Sequence, residues 1–318
     1  MSMPKNFSAK SVRKSPSSGE GFRRRLRGTG PLDLKTHPSK KREGEILTVA
    51  KSPVVMVAPT TPIYDAVQKM AKDGFRRLPI ADPGTKYLEG IVTATDIVEY
   101  LGGGQKFEII EQKYGGNFFK AINEQIRLIM TQKVVSITTE AKIGEAIEKM
   151  KESNLGGLPV VDEKNSVKAI VTERDIAVLF ADRTSGVTVA QLMSENVVTA
   201  LPKTTIFEAE KTMVTQGFRR LPIISDGKLI GIVTAMDIIR YFGCGEVFSH
   251  LRSGTIIQVL NTPALGIATR NVSTVEPETD VGQAAKIMRE KDIGAVPVVK
   301  KGALVGIFTE RDFFKMIE

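Results

Sequence analysis

The chain is poor in the residues that build disulfide frameworks and metal clusters. It has one cysteine, Cys244, and two histidines, His37 and His250, in 318 residues. A single thiol cannot form a disulfide framework, and these three residues are too few for a metal cluster. A reducing cytoplasm is therefore the expected environment.

Long apolar runs are also missing. No stretch of the sequence approaches the roughly 18 consecutive apolar residues that mark a membrane-spanning helix. The first residues are basic and polar, without the apolar core of a signal peptide. These absences predict a cytoplasmic protein with no membrane partner.

The chain does contain an internal repeat. The segment GFRRLPI occurs at residues 74–80 and again at 217–223, and two related copies lie between and after these. The four copies align on a proline that is followed, 15 to 17 residues later, by the aspartate of a Thr-x-x-Asp motif. The aligned prolines are Pro79, Pro159, Pro222 and Pro297. A repeat this regular constrains the fold more than any other feature of the sequence.

The copies are of two types that alternate along the chain. Copies one and three share FRRLPI, whereas copies two and four share LPVV or VPVV and the tetrapeptide TERD. The prolines of copies one and three are 143 residues apart, and those of copies two and four are 138 apart. The pattern indicates a duplicated pair, so two similar halves should pack as two similar modules.

The periodicity within each copy predicts the order strand, helix, strand, strand, helix. In the first helix of copy one, Thr61 is expected to be the N-cap and Pro62 the first helical residue. A methionine follows a helical alanine by four residues in every copy, and this spacing marks a buried helix face rather than a ligand site. The pairs are Ala66 with Met70, Ala146 with Met150, Ala209 with Met213, and Ala284 with Met288.

The element order, the proline-containing strand and the repeated Thr-x-x-Asp ending resemble the cystathionine-beta-synthase (CBS) domain. The resemblance covers four copies and implies an α/β (α+β) fold with two tandem CBS-pair modules. In that family, paired domains form a disc with up to two clefts for adenosine-containing ligands. The expected divisions are a basic flexible tail (1–50), CBS 1 (51–101), a linker (102–129), CBS 2 (130–180), CBS 3 (193–243), a linker (244–268) and CBS 4 (269–318).

The Thr-x-x-Asp motif carries the predicted nucleotide site. The resemblance implies that the aspartate binds ribose hydroxyls and that the threonine hydroxyl meets phosphate. A carboxylate also suits a ribose diol on chemical grounds, and the free N–H groups and dipole of a helix start favour phosphate. The alternative is an ordinary helix cap. The predicted residues are Thr93, Asp96, Thr172, Arg174, Asp175, Thr234, Asp237, Thr309, Arg311 and Asp312, together with Arg77 and Arg220.

Arginines distinguish the two types of copy. Copies one and three carry Arg-Arg at 76–77 and 219–220, which resembles the phosphate-contacting arginine of kinase gamma subunits built from four CBS domains. Guanidinium groups bind phosphate bidentately and stay charged. Copies two and four instead offer Arg174 and Arg311 beside the aspartate. The alternative is that these arginines form salt bridges between modules.

The first fifty residues hold most of the net charge. They contain 12 basic and four acidic residues, a net charge of +8 out of the chain's +9. Such a segment cannot bury a core alone, and it suits a polyanion because binding releases counterions. The predicted RNA-binding residues are Lys10, Arg13, Lys14, Arg23, Arg24, Arg25, Arg27, Lys40, Lys41 and Arg42. The alternative is an unbound, solvated leader.

Two functions are predicted from these features, and neither is enzymatic. Four repeats leave no segment for a catalytic barrel of roughly 250 residues, so AMP, ADP or ATP is expected as a regulatory ligand and no catalytic residue is predicted. The first hypothesis resembles archaeal CBS-containing ribosome hibernation factors, with RNA, above all ribosomal subunits, as partner. The second is a regulatory subunit of a kinase or metabolic enzyme. A homodimer through the CBS discs is compatible with both.

Aromatic residues in the first linker have two readings. Tyr114, Phe118 and Phe119 lie in a basic context between copies one and two. We expect them to pack across the module interface, and the alternative is stacking on RNA.

Overall fold

The computed structural model describes residues 45–245, 247–248 and 255–317. The folded body begins earlier than expected, because Glu45–Thr48 form a 3-10 turn. Ile46 is fully buried, and its N–H donates to the carbonyl of Ala141 at 3.1 Å. The expected tail boundary at residue 50 is therefore wrong, since Ile46 and Ala50 belong to the core of copy two. The predicted RNA-binding residues lie outside the described residues.

The helices and strands follow the predicted order. Copy one contains α1 (Ile63–Asp73), β1 (Arg77–Ala81), β2 (Leu88–Thr93) and α2 (Ala94–Val98), which continues as a π-helical turn over Glu99–Gly103. The linker contains α3 (Phe107–Tyr114) and α4 (Phe118–Ile122). Copy two contains β3 (Ile137–Thr138), α5 (Ile143–Glu152), β4 (Gly157–Val161), β5 (Val167–Thr172) and α6 (Glu173–Ala177), and α7 (Val189–Leu192) follows.

The second half repeats this arrangement. Copy three contains α8 (Ile206–Gln216), β6 (Arg220–Ser225), β7 (Lys228–Thr234) and α9 (Ala235–Gly243). After α10 (Ile257–Leu260), copy four contains α11 (Val281–Glu290), β8 (Ala295–Lys300), β9 (Ala303–Thr309) and a closing 3-10 helix over Glu310–Met316. Nowhere in the described part of the chain is there a helix with the length and apolar character needed to cross a membrane. The predicted α/β class with four repeats is confirmed.

Each copy is built on an antiparallel hairpin in the same register. The aligned proline lies opposite an isoleucine every time: Pro79 with Ile91, Pro159 with Ile170, Pro222 with Ile232, and Pro297 with Ile307. A bulge follows two residues later in every copy, which fits a strand whose proline cannot donate a hydrogen bond. The short first strand runs parallel to the hairpin, as Val57 does beside Ile80.

The first helices bury the predicted face but not the predicted cap. All four alanine–methionine pairs are at most 3% exposed, which confirms their place in the core. Helix α1, however, begins at Ile63, and Pro62 occupies the cap position without a side-chain hydrogen bond. The N–H of Ile63 donates instead to the carbonyl of Glu124 in the linker, at 2.8 Å. The prediction of Thr61 as N-cap is therefore wrong.

The segment that enters each copy crosses to the hairpin of its pair partner. Lys51, which leads into copy one, forms a bridge with Ile170 of copy two, while Thr131, which leads into copy two, bridges Ile91 of copy one. The second half shows the same exchange between Ser194 and Ile307 and between Thr269 and Ile232. Copies one and two therefore interlock as one module, and copies three and four as the other.

Helices connect the two modules. One hydrophobic core joins the helices of copy one to those of copy three, and a second joins copy two to copy four. Each copy thus shares strands with one neighbour and helices with another, so the four copies close into a ring. Phe118 is buried in the first core, 5.5 Å from the ring of Phe242, which confirms its packing role, whereas Phe119 is half exposed and stacks on Phe248.

Candidate ligand clefts

The Thr-x-x-Asp motif has the same geometry in all four copies. The threonine N–H and hydroxyl both donate to Oδ2 of the aspartate, at 2.8 and 2.7 Å for Thr234 and Asp237. The equivalent hydroxyl bonds are 2.6 Å for Thr93–Asp96, 2.6 Å for Thr172–Asp175 and 2.8 Å for Thr309–Asp312. Each pair forms a capping box at the start of the following helix. Because the hydroxyl hydrogen goes to the carboxylate, it does not point to a phosphate here.

The second oxygen of each aspartate, Oδ1, faces a basic side chain. The pairs are Lys106–Asp96 at 2.5 Å, Lys51–Asp175 at 3.7 Å, Arg240–Asp237 at 2.9 Å and Lys315–Asp312 at 2.8 Å. Burial raises the pKa of Asp237, although Thr234 and Arg240 act in the opposite direction. Oδ1 is therefore the atom that is free of the cap and positioned to bind a ligand hydroxyl in exchange for the basic partner.

The largest group of ligand-type side chains surrounds a cavity that we call the copy-three cleft. Its volume is about 320 Å³. Thr234 and Asp237 of copy three form one wall, and the entering segment of copy four, with Asn271 and Ser273, forms another. Six basic side chains line it against two carboxylates; the basic ones are Arg76, Arg174, Arg219, Arg220, Arg240 and Lys291. Such a lining attracts an anion.

A second cavity, the copy-two cleft, has the same design in the first module. Its volume is about 190 Å³. Thr172 of copy two lies against the entering segment of copy one, which contributes Lys51 and Val55, and against the strand that carries Arg77. Each cleft therefore combines the Thr-x-x-Asp motif of one copy with the entering segment and proline strand of its pair partner. Arg76 and Arg174 line both clefts.

A cluster of ion pairs lies between the clefts and links the two modules. Glu310 of copy four accepts from Arg76 of copy one at 2.5 Å and from Arg174 of copy two at 2.7 Å. Glu173 of copy two makes the mirror-image contacts, with Arg219 at 2.8 Å and Arg311 at 2.9 Å. Burial acts to raise the pKa of Glu310, but Arg76 and Arg174 outweigh it and lower this pKa to about 2. For these four arginines, the alternative of salt bridges between modules is what the structure shows.

The remaining two predicted arginines have no carboxylate partner among the described residues. Arg77 donates to the carbonyl of Gly156 at 2.5 Å, and Arg220 donates to that of Gly294 at 2.9 Å. Burial and the neighbouring charge of Arg219 lower the pKa of both, to about 10 for Arg77 and about 9 for Arg220. Both guanidinium groups remain charged at neutral pH, and their positive charge is not neutralised by an acid.

Glycines in copies two and four make room for these arginines. A Cβ added at Gly157 would lie 1.9 Å from a terminal nitrogen of Arg77, and one added at Gly294 would lie 2.5 Å from Arg76. The alternation seen in the sequence is therefore complementary packing: arginines of copies one and three occupy the space that small residues of copies two and four leave.

The structure brings together half of the predicted nucleotide-binding residues. Those that line the two clefts are Arg77, Thr172, Arg174, Arg220, Thr234 and Asp237. Those that do not line either cleft are Thr93, Asp96, Asp175, Thr309, Arg311 and Asp312. The prediction did not include the cleft residues Lys51, Arg240 and Lys291, or the clamping acids Glu173 and Glu310. In the described ranges, no group of three or more His, Cys, Asp or Glu side chains is placed to hold a metal ion.

The clamping acids did have a signal in the sequence. TERD places a glutamate after the motif threonine in copies two and four, where copies one and three have alanine. Opposite charges that alternate between repeats, arginine in one type and glutamate in the other, predict contacts between repeats.

Comparison with protein-family models places the CBS domain at residues 44–103, 124–182, 189–243 and 265–318. The protein MJ1225 of Methanocaldococcus jannaschii is 37% identical over 264 residues, which cover 82% of this chain and 94% of the relative. A 33.4 kDa protein in a ribosomal RNA operon of Thermofilum pendens is 33% identical over 267 residues, covering 84% and 89%.

Solved structures agree with this assignment. The crystal structure of MJ1225, described as a candidate archaeal homologue of g-AMPK, has a TM-score of 0.80 at 36% identity and covers 85% of this chain and 99% of that one. A conserved protein of Pyrococcus horikoshii has the same fold, with a TM-score of 0.54 at 20% identity, covering 84% and 96%. With four matched copies, interlocked in pairs around two clefts, the chain belongs to the CBS domain family.

Proposed function

We propose that the protein is a regulatory sensor that binds AMP, ADP or ATP in the copy-two and copy-three clefts. The observation that carries the proposal is the copy-three lining, where six basic side chains and a single motif aspartate converge on one cavity of about 320 Å³. A volume at the lower end of the range for small-molecule pockets, roughly 300 to 1,000 Å³, fits a mononucleotide.

The cleft offers a separate surface to each part of a nucleotide. Arg219 and Arg220 supply guanidinium groups for the phosphates. Oδ1 of Asp237 faces the ribose diol and exchanges Arg240 for the ligand hydroxyls. Apolar side chains, Ile232 and Ile293, provide surfaces for the base. The copy-two cleft offers Arg77 and Thr172 in corresponding roles.

Replacing Asp237 by asparagine should weaken nucleotide binding at the copy-three cleft about tenfold or more. Asparagine keeps a cap acceptor for Thr234, but it loses the charge-assisted hydrogen bond to ribose, worth roughly 1.5 to 3 kcal/mol. Isothermal calorimetry with AMP, ADP and ATP measures the loss. Asp65→Asn, at an exposed position in the first turn of α1, is the matched control and should bind like the wild type. Equal affinity of Asp237→Asn and wild type would contradict the assignment of this cleft.

We propose further that the basic N-terminal segment brings the sensor to RNA, most directly to ribosomal subunits, where nucleotide binding would regulate translation. Its support is the charge: residues 1–44 carry 12 basic and three acidic side chains, whereas the rest of the chain is neutral overall. The Thermofilum pendens relative in a ribosomal RNA operon gives the same direction.

A regulatory subunit of a kinase or metabolic enzyme is the second candidate. The description of the MJ1225 structure as a candidate homologue of g-AMPK favours it. Sedimentation of cell lysate through a sucrose gradient separates the two candidates. An RNA-directed sensor should travel with ribosomal subunits and move to the top of the gradient after ribonuclease treatment, whereas an enzyme subunit should sediment independently of both.

A further inference from the structure

A buried carboxyl group lies in the contact between copy one and copy three. Glu210, on α8, is 0% exposed. Neither of its carboxyl oxygens has a hydrogen-bond partner. An ionised carboxylate in such a place would be strongly destabilising, so burial raises the pKa of Glu210 well above its usual value.

The repeat shows that this glutamate is an exception. The residue after the aligned helical alanine is Val67 in copy one, Ile147 in copy two and Ala285 in copy four, and all three are buried. Only copy three has an ionisable group at this position. A departure from a rule that the rest of the fold obeys is where a functional constraint is expected.

The neighbours of Glu210 leave no room for it to move while α8 stays in place. The main chain of copy one approaches it at the π-helical turn: a Cβ added at Gly102 would lie 2.5 Å from Oε2 of Glu210 and 2.8 Å from Leu260. A Cβ at Gly103 would lie 2.9 Å from the carbonyl oxygen of Glu210 and 2.7 Å from Val214. The mirror contact, Gly243 of copy three against Ala71 of copy one, is equally close and entirely apolar.

No charge near Glu210 offsets its own. The charged groups on the elements packed against it are exposed or already engaged: Glu208 and Lys211 on α8, Asp96 and Glu99 with Lys106, Asp237 with Arg240, Arg220 with the carbonyl of Gly294, and Glu108 and Glu111 on α3. Burial is the single cause of the shift.

We propose that Glu210 is a proton-controlled latch between the two modules. In its neutral form it lies against Gly102 and Gly103 and allows α8 to pack closely on copy one. When it loses its proton, the carboxylate must reach water or a cation, and this requires α8 to separate from the turn over Glu99–Gly103.

Unfolding measured between pH 5 and pH 8 tests the latch. The unfolded chain releases this proton near pH 4.5, whereas the folded chain retains it, so folded wild type loses stability as the pH rises until its own pKa is reached. Relative to Glu210→Val, which copies Val67, the unfolding constant of wild type should increase about tenfold per pH unit in this window. Glu210→Gln, which is polar but cannot ionise, should show no such increase.

Carbon-13 NMR of the Glu210 side chain gives the second test. We expect its carboxyl resonance to titrate well above pH 4.5, and the amide resonances of Gly102 and Gly103 to shift with the same midpoint. An ordinary carboxyl titration, or a wild-type to Glu210→Val ratio that is the same at pH 5 and pH 8, would overturn the proposal. Titration of Glu210 without any response at the two glycines would show a buried acid that is not a latch.

Discussion

Glu310→Gln should lower the free energy of unfolding by roughly 3 kcal/mol, because it removes the shared acid of two converging arginines. The carboxylate is 3% exposed and bridges Arg76 and Arg174, which come from different modules. Glutamine has nearly the same shape, so the loss reports the charge and not a cavity. The two guanidinium groups would then repel each other across the module contact. Thermal or denaturant unfolding measures the change.

Two other glutamates provide matched controls. Glu278, paired with Lys300 on the surface at 3.0 Å, is 65% exposed, and its replacement by glutamine should cost no more than about 0.5 kcal/mol. Glu173→Gln removes the mirror-image acid, but its partners Arg219 and Arg311 are more exposed, so the loss should lie between the other two. If Glu310→Gln is as mild as Glu278→Gln, the central ion pairs do not hold the modules together.

The same acid should set part of the response to low pH. Arg76 and Arg174 overcome the effect of burial and hold the pKa of Glu310 at about 2, against 4.5 for a free glutamate. A lowered folded-state pKa contributes stability that is present above pH 4.5 and is lost as the pH falls towards 2. This contribution is of the order of 3 kcal/mol, and Glu310→Gln should remove that part of the acid dependence. Glu210 acts in the opposite direction, since its stabilising proton is lost as the pH rises.

Local features of this fold were predictable because they depend on short stretches of sequence. The cap at Thr93 and Asp96, the buried Met70 and the hairpin turn at Asp226-Gly227 each follow from residues a few positions apart. Thr61 was the exception, because the N–H group it was expected to cap is taken by Glu124, more than sixty residues away in the chain. Caps are predictable only where no distant carbonyl competes for the same donor.

The contacts between copies were not predictable from one copy at a time. A repeat pattern says that four units exist but not which unit packs on which, and Arg76 and Glu310 are 234 residues apart. Comparison of the copies with one another contains more information. The alternation of arginine with glycine, the glutamates of TERD and the single break at Glu210 are each visible in the aligned repeats. All three lie at contacts between modules, where the copies must differ because their neighbours differ.

The largest effect is expected from the basic N-terminal segment. If six or more of its charges meet phosphate, affinity for ribosomal RNA should fall about a thousandfold between 50 and 200 mM salt, because each contact releases condensed counterions. Removing residues 1–44 should abolish this salt dependence while leaving nucleotide binding unchanged. The deletion stops before Glu45 because Ile46 belongs to the core, so the folded body is preserved. Binding to purified ribosomal subunits at several salt concentrations gives the slope directly.

Point variants separate the charge of this segment from its length. Replacing Arg23, Arg24, Arg25 and Arg27 by alanine keeps the chain intact but removes four of the 12 basic side chains, so it should reproduce much of the loss and flatten the slope by about four counterions' worth. Asp237→Asn, which alters only the copy-three cleft, should keep the full slope. If the truncated protein binds ribosomal subunits as tightly as the full chain at both salt concentrations, the segment does not bind RNA and the enzyme-subunit function takes its place.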